Sequence, residues 1–305
     1  MKFSVTKLRP VWYLFSGAMI VLSLIFLATW GLKQGIEFTG GSLLAVRFSD
    51  ARPATQDMTK FLDGEKVLNL GPIVAQPVGT TDMQFRMRNL SEKEHQDTMI
   101  ALKKNYAGLT ELRFDAIGPV LGVELRQKTI QGLGIALIAI LIYVAYAFRK
   151  VSAPVQSWKY GLVTLFSAFH DVIVPVGVFA LLGHVYNVEI GTPFVAAILT
   201  VMGYSITDTI VVMDRVRENL QKMSGSFESI VEASVRQTFL RSFNTSMTTL
   251  LTLAAIFFFG GGSLHDFTLT LIIGIAVGTY SSIFVASPLL VTWDKWTRRG
   301  KGARK

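Results

Sequence analysis

The sequence predicts a polytopic α-helical membrane protein, with six transmembrane helices and an extracytoplasmic α+β domain between the first and second. Three observations predict it. Half of the 305 residues are hydrophobic and only 17% are charged. The apolar residues come in blocks of about 20, the length that crosses roughly 30 Å of hydrocarbon. Basic residues favour alternate connections, and a stretch of mixed polarity, 31–128, separates the first two blocks.

The predicted spans are 11–30, 129–148, 161–182, 191–213, 240–260 and 267–292. Lys2, Lys7 and Arg9 precede the first, as in a signal peptide, but its length and the lack of an A-x-A site predict an uncleaved anchor. Of the 30 Lys and Arg, 17 lie before span one, between spans two and three, from the end of span four to Arg241, or after span six. The connections 183–190 and 261–266 carry none, so the positive-inside rule predicts cytoplasmic termini. The remaining 13 stand beside 12 acids in 31–128, a nearly neutral segment with no nucleic-acid footprint. The chain divides into 1–30 (N-terminus and first span), 31–128 (outer domain), 129–292 (five further spans) and 293–305 (basic tail). There is no cysteine, which excludes disulfides and thiolate metal sites.

In the outer domain, 42–48 reads as a strand, 55–62 as a short helix, and 66–70 and 83–88 as two further strands. Ser91 with Glu94 forms a capping box that opens a helix to about Tyr106, and 111–116 closes with a strand. The order β-α-β-β-α-β predicts a ferredoxin-like fold. His95, among charges on its helix, reads as a solvated surface residue, and no His, Asp or Glu spacing suits a metal or acid–base pair. In 35–41 (GIEFTGG), Gly40 and Gly41 allow a sharp turn or a close backbone approach, beside Gly35, Glu37 and Phe38.

Asp208 lies inside the apolar run 193–213. An ionised carboxylate at membrane depth costs about 2.5–3.5 kcal/mol on insertion scales, so a functional role is the first reading and a helix–helix hydrogen bond the competing one. Tyr204 and Ser205 precede it by four and three positions and share its helical face. Span five opens with Arg241, Asn244, Thr245 and Thr248, a second polar stripe. The two stripes are expected to meet, pairing guanidinium with carboxylate. The bland alternative for Arg241 is a cation snorkelling to the headgroups. His170 and Asp171 lie deep in span three and diverge by about 100°, so one is expected to pair with a helix while the other faces water, in a structural link or a second relay.

Asp214, Arg215, Arg217 and Glu218 read as solvated anchors at the end of span four. Phe227, Ile230, Val231 and Val235 give the next loop an apolar face, expected to lie on the inner membrane surface. Gly274 and Gly278 form a small-xxx-small packing face.

The stretches 35–41 (GIEFTGG), 118–126 (GPVLGVELR), 170–172 (HDV), 203–219 (GYSITDTIVVMDRVREN) and 241–250 (RSFNTSMTTL) together closely resemble the SecF family, the smaller half of the bacterial SecDF export factor, within the RND superfamily. The resemblance implies a cell-membrane subunit of the Sec pathway, not an enzyme, that works with SecD to promote late polypeptide export using the proton motive force. It implies Asp208 and Arg241 as proton-relay residues, supported by Tyr204, Ser205, Asn244, Thr245 and Thr248. The implied partners are SecD, the SecYEG translocon, YajC, the unfolded exported polypeptide and membrane lipids, with no nucleic acid. No cofactor is implied beyond protons, with Na⁺ the alternative coupling ion. Glu37 stands where the family usually has Asp, which keeps the charge. The outer domain is expected to hold emerging chain in an apolar groove or at a sheet edge, near Phe48, Phe85 or Phe114. The competing functions are an RND-type exporter of lipids or small molecules and a passive scaffold of the translocase.

Overall fold

The computed structural model describes residues 4–64, 68–147, 156–260 and 262–302. In chain order its elements are α1 (Arg9–Trp30), α2 (Ile36–Thr39), β1 (Gly41–Arg47), α3 (Thr55–Gly64), β2 (Val74–Val78), β3 (Asp82–Met87), α4 (Glu92–Asn105), β4 (Thr110–Ile117), α5 (Pro119–Ala147), α6 (Ser157–Tyr186), α7 (Thr192–Lys222), α8 (Phe227–Phe259), α9 (Gly262–Ser281), a π-helical turn (Ser282–Ala286) and α10 (Ser287–Gly302). Among the described residues, six helices are long and apolar enough to cross a membrane, the last running from Leu264 through the π turn to Arg298. The protein is a multi-pass membrane protein.

One compact unit comprises residues 33–132 with 187–192. Its sheet has the strand order β2-β3-β1-β4, every pair antiparallel. The central strand places Leu44 opposite Phe85 on one side and Phe114 on the other. On β3, Met83, Phe85 and Met87 alternate inward with half-buried residues, the period-two pattern of a sheet with one covered face. Met58 and Leu62 of α3, and Met99 and Leu102 of α4, complete this core.

Three expectations fail here. Residues 66 and 67 lie outside the described residues, and 68–70 form no strand; the strand is β2, further along. Asn69 (φ 40°) and Gly71 (φ 69°) bend the chain first. Pro77 hides β2 from a pattern search, yet it is tolerated because β2 is an edge strand. His95 is not a solvated residue: it is 4% exposed. It shares the inward face of α4 with Thr98, Met99 and Leu102 at +3, +4 and +7, and its ring stacks on Phe114 at 3.8 Å. Glu111 approaches its Nε2 at 3.2 Å and Glu92 its Nδ1 at 3.5 Å. Phe48 and Phe85 are core residues and line no surface groove.

The second unit holds residues 1–32, 133–186 and 193–305. Within it α1 packs along α6, and α9 against both α6 and α8. Gly177 lets Ser23 of α1 press onto α6, since a Cβ there would overlap Ser23. The stretch read as a surface connector is instead the start of α8, a continuous helix of 33 residues. Phe227, Val231 and Val235 pack with Tyr160, Val212, Met213, Val216 and Leu290. Their apolar face is answered by protein, since α7 runs on to Lys222 and supplies the opposing surface. Arg215 and Glu218 pair in solvent at 2.7 Å, as expected of anchors. Phe148, Arg149, Lys150, Gly261 and 303–305 lie outside the described residues.

Candidate functional site

Two carboxylates stand among hydroxyls where α6, α7 and α9 meet. Asp171, on α6, is fully buried, as is His170. The His170 Nδ1 lies 2.8 Å from Asp171 Oδ1. Asp171 Oδ2 accepts from the Ser205 hydroxyl of α7 and, at 2.6 Å, from Ser281 of α9, which itself accepts from Ser167 at 2.9 Å. The expectation that one of His170 and Asp171 faces water is overturned, because three helices enclose both. Pro175 has no N–H to give the carbonyl four positions earlier, that of Asp171, so the helix is loosened at this point.

Asp208, half-buried on α7, accepts a hydrogen bond from the Ser282 hydroxyl. Ser281 and Ser282 are neighbours at the junction of α9 with the π turn, so one serine addresses α6 and the next α7. Adjacent helical residues diverge by about 100°, which suits this division. Such π turns recur at functional sites.

Small residues make the approach possible. A Cβ on Gly274 would overlap Val201 of α7, and one on Gly278 would come within 3.3 Å of Ser205 and 3.6 Å of Asp171 Oδ2. The glycine pair expected to pack does so, and it also leaves the carboxylate room.

The expected pairing of Asp208 with Arg241 does not form. Asp208 has no ion-pair partner among the described residues, and Arg241 acts on it only through space. Arg241, Asn244, Thr245 and Thr248 are exposed. Helical phase explains this: α8 turns Ser242 and Ser246 inward, both about 2% exposed, and its large polar residues therefore point away. Ser246 accepts from Thr279 at 2.6 Å and lies 3.2 Å from the Tyr204 hydroxyl. Tyr204 and Ser205 thus serve different contacts, one toward α8 and one toward α6. Ser167, Ser242, Ser246, Thr279, Ser281 and Ser282 escaped the sequence reading. Their signal is a set of serines on tightly packed apolar helices, which also suits plain helix packing.

The other unit contains the glycine motif. Ile36 and Phe38 of α2 are buried. Gly40 (φ 73°) and Gly41 (φ 125°) adopt backbone that favours glycine. A Cβ on Gly40 would come within 2.7 Å of Pro119 at the start of α5, and one on Gly41 within 2.8 Å of the Met87 carbonyl. Gly122 likewise meets the Gly40 amide, so 35–41 and 118–126 pack backbone to backbone. The Glu37 carboxylate lies over Gly35 and Gly191. Gly35 donates to the Ile190 carbonyl at 2.8 Å and Ile190 to Lys33 at 2.7 Å. Arg86 of β3 donates to the Gln34 carbonyl, to Thr39 and to Glu189. Burial pushes the Glu189 carboxyl above the usual carboxylate range against the pull of Arg86, and the Glu37 charge adds to the rise.

Comparison with known proteins fits this arrangement. The family described as protein export membrane protein SecD/SecF, C-terminal, matches residues 98–296, and the SecD/SecF GG motif matches 25–51. The protein translocase subunit SecF of Thermobaculum terrenum is 40% identical, over 95% of this chain and 93% of that one. The SecF of Haemophilus influenzae is 37% identical, over 96% and 86%. The crystal structure of SecDF from Thermus thermophilus, a translocon-associated membrane protein, aligns with a TM-score of 0.85 at 30% identity, covering 97% of this chain. This chain spans 39% of that longer one. With these matches over nearly its whole length, the chain belongs to the SecF family of protein translocase subunits.

Proposed function

We propose that this protein is an accessory subunit of the Sec protein translocase that, paired with a SecD-type subunit, uses the proton motive force to promote late steps of polypeptide export. The observation that carries the reading is Asp208, a carboxylate in mid-helix on α7 that accepts from the Ser282 hydroxyl of another span. A proton arriving there changes the local charge and biases the packing of the helices around it. The drive is bounded at about 2.3 kcal/mol per charge per 100 mV. Arg241 acts on Asp208 at longer range, and Na⁺ is the alternative coupling ion.

Pairing is supported by two outward stripes: Thr200, Gly203 and Thr207 on α7, and Arg241, Asn244, Thr245, Thr248 and Thr252 on α8. Thr200, Thr207, Thr248 and Thr252 donate their hydroxyls to carbonyls four residues back. Arg241 and Asn244 have no hydrogen-bond partner among the described residues, and at membrane depth such groups favour a protein neighbour over lipid. The subunit works beside the SecYEG translocon and YajC with both termini cytoplasmic, consistent with the basic connections. The antiparallel order β2-β3-β1-β4 with its two crossover helices supports a ferredoxin-like outer domain, placed on the far side of the membrane to hold unfolded polypeptide.

Export from vesicles at fixed protein level tests the reading. Asp208→Asn is expected to insert and assemble normally while losing the stimulation given by an imposed proton gradient. Wild-type stimulation in that variant would overturn it.

A further inference from the structure

We propose that His170 and Asp171 form a second proton station, coupled to Asp208, in which the imidazole passes a proton from Nε2 to the Asp171 carboxylate. The inference rests on the reading of Asp208 as the proton-responsive acid and adds where else a proton is held.

Four observations carry it. His170 is fully buried and its Nε2 has no partner among the described residues, an orphan that ordinary packing does not leave without cause. Its other nitrogen lies 2.8 Å from Asp171 Oδ1, within the range for direct transfer. Asp171 is fully buried and faces hydroxyls from two other helices, yet no Lys or Arg among the described residues pairs with it. Lastly, Asp171 and Asp208 bear on each other electrostatically, and consecutive serines of one backbone turn hold them. The titratable groups turned toward the cluster are His170, Asp208 of α7, Tyr280 of α9, whose ring lies 6.4 Å from that of His170, and Arg241 of α8, acting at longer range on Asp208.

The transfer balances. A proton bonds to the Nε2 lone pair while the Nδ1–H bond breaks toward Asp171 Oδ1; the imidazole ends neutral in its other tautomer and the carboxylate ends as a neutral acid. Once Asp171 is neutral its charge no longer acts on Asp208, so a proton held at one carboxylate is felt at the other. Ser281 and Ser282 donate to the ionised forms, so the junction of α9 with the π turn feels which acid carries the charge. A hydroxyl binds a carboxylate more strongly than a neutral acid, and the turn has no regular α-helical hydrogen bonding to hold it in one setting.

The test is infrared difference titration of the full-length protein in nanodiscs, reading the carboxylic-acid stretch. Wild type is expected to titrate in two coupled steps. In Asp171→Asn one band disappears and the remaining step moves by about one pH unit. In His170→Gln, which keeps a hydrogen bond to Asp171 but cannot pass a proton on, proton exchange at Asp171 after a pH jump is expected to slow about tenfold or more while both bands persist. Should Asp171→Asn not fold, Ser281→Ala supplies the second readout, with the Asp171 step displaced and the Asp208 step following it. An unmoved Asp208 step in Asp171→Asn, or unmoved steps in Ser281→Ala, overturns the coupling; exchange at the wild-type rate in His170→Gln overturns the imidazole route. These outcomes are separable from failure of the export reading, which is decided by Asp208→Asn in vesicles: coupled titration can coexist with normal export in that variant, and lost export with uncoupled titration.

Discussion

Arg86 and Glu189, 103 positions apart in sequence, form an ion pair that fastens the stretch before α7 to β3. Arg86 also holds the Gln34 carbonyl and Thr39, and backbone hydrogen bonds join Gly35 to Ile190 and Ile190 to Lys33. The stretch 187–192 is thereby stitched to the residues that follow α1. Its far end is Thr192, the first residue of the helix carrying Asp208.

Removing the guanidinium leaves a partly buried carboxylate and a carbonyl unmatched. Arg86→Met is therefore expected to destabilise this unit by about 1–3 kcal/mol. Faster hydrogen exchange at Gly35 and Ile190 than in wild type is the expected signature. Unchanged protection at both amides would show that the backbone bridge holds without the ion pair.

Glu94 supplies a pH test in the same unit. Its carboxylate accepts from Arg88, from the Ser91 amide at 2.7 Å and from the Ser91 hydroxyl at 2.8 Å. These hold its pKa at about 2, below the ordinary 4.5, with Arg88 the largest cause. A depressed acid stabilises the fold above its unfolded value, and the contribution is lost as pH falls from about 4.5 through about 2. Protection of the first turn of α4 is expected to fall across that window, and Glu94→Gln is expected to flatten the dependence. Ser91→Ala, which removes the cap, is expected to cost about 1 kcal/mol at neutral pH.

Much of the architecture was legible because it rests on patterns the chain must display. Six apolar blocks, the Ser91–Glu94 box and the alternation of Met83, Phe85 and Met87 each carry their own physical requirement. What stayed hidden depended on three-dimensional phase. Arg241 and Ser242 are adjacent, and nothing in the stretch itself says which faces the bundle; packing gave the inner face to the smaller residue. His95 looked solvated because Glu92, Lys93 and Glu94 surround it in sequence, although its spacing to Met99 and Leu102 is that of an inward face. Asp208 was visible as an acid in an apolar run, whereas Ser282, its partner on another span, had no mark of its own.

The closeness of α7 and α9 depends on Gly274. A Cβ at that position overlaps the Val201 side chain, so Gly274→Ala must push the helices apart or force Val201 off its rotamer, at about 1–3 kcal/mol. Val201→Ala in the same chain is expected to recover most of that loss, with the coupling measured by a double-mutant cycle. Thermal unfolding of the four proteins in one detergent checks it. Strictly additive effects would mean that the two residues do not share a contact.

The natural absence of cysteine lets the partner face be mapped without altering the background. If α7 and α8 turn their polar stripes to a second membrane subunit, cysteines introduced at exposed Thr207 and Asn244 are expected to crosslink to it through a short bifunctional reagent. A cysteine at Ser246, which is about 2% exposed, is expected to remain unreactive. Ile138 on α5, 60% exposed and flanked by apolar neighbours, serves as a lipid-facing control. Arg241 sharpens the expectation: a guanidinium on that face is held best by a carboxylate or hydroxyls from the partner, so Arg241→Met should lower recovery of the paired complex while leaving the isolated chain folded. Crosslinks from Ile138 with none from Thr207 or Asn244 would move the interface to the second span and leave the α8 stripe facing water or lipid.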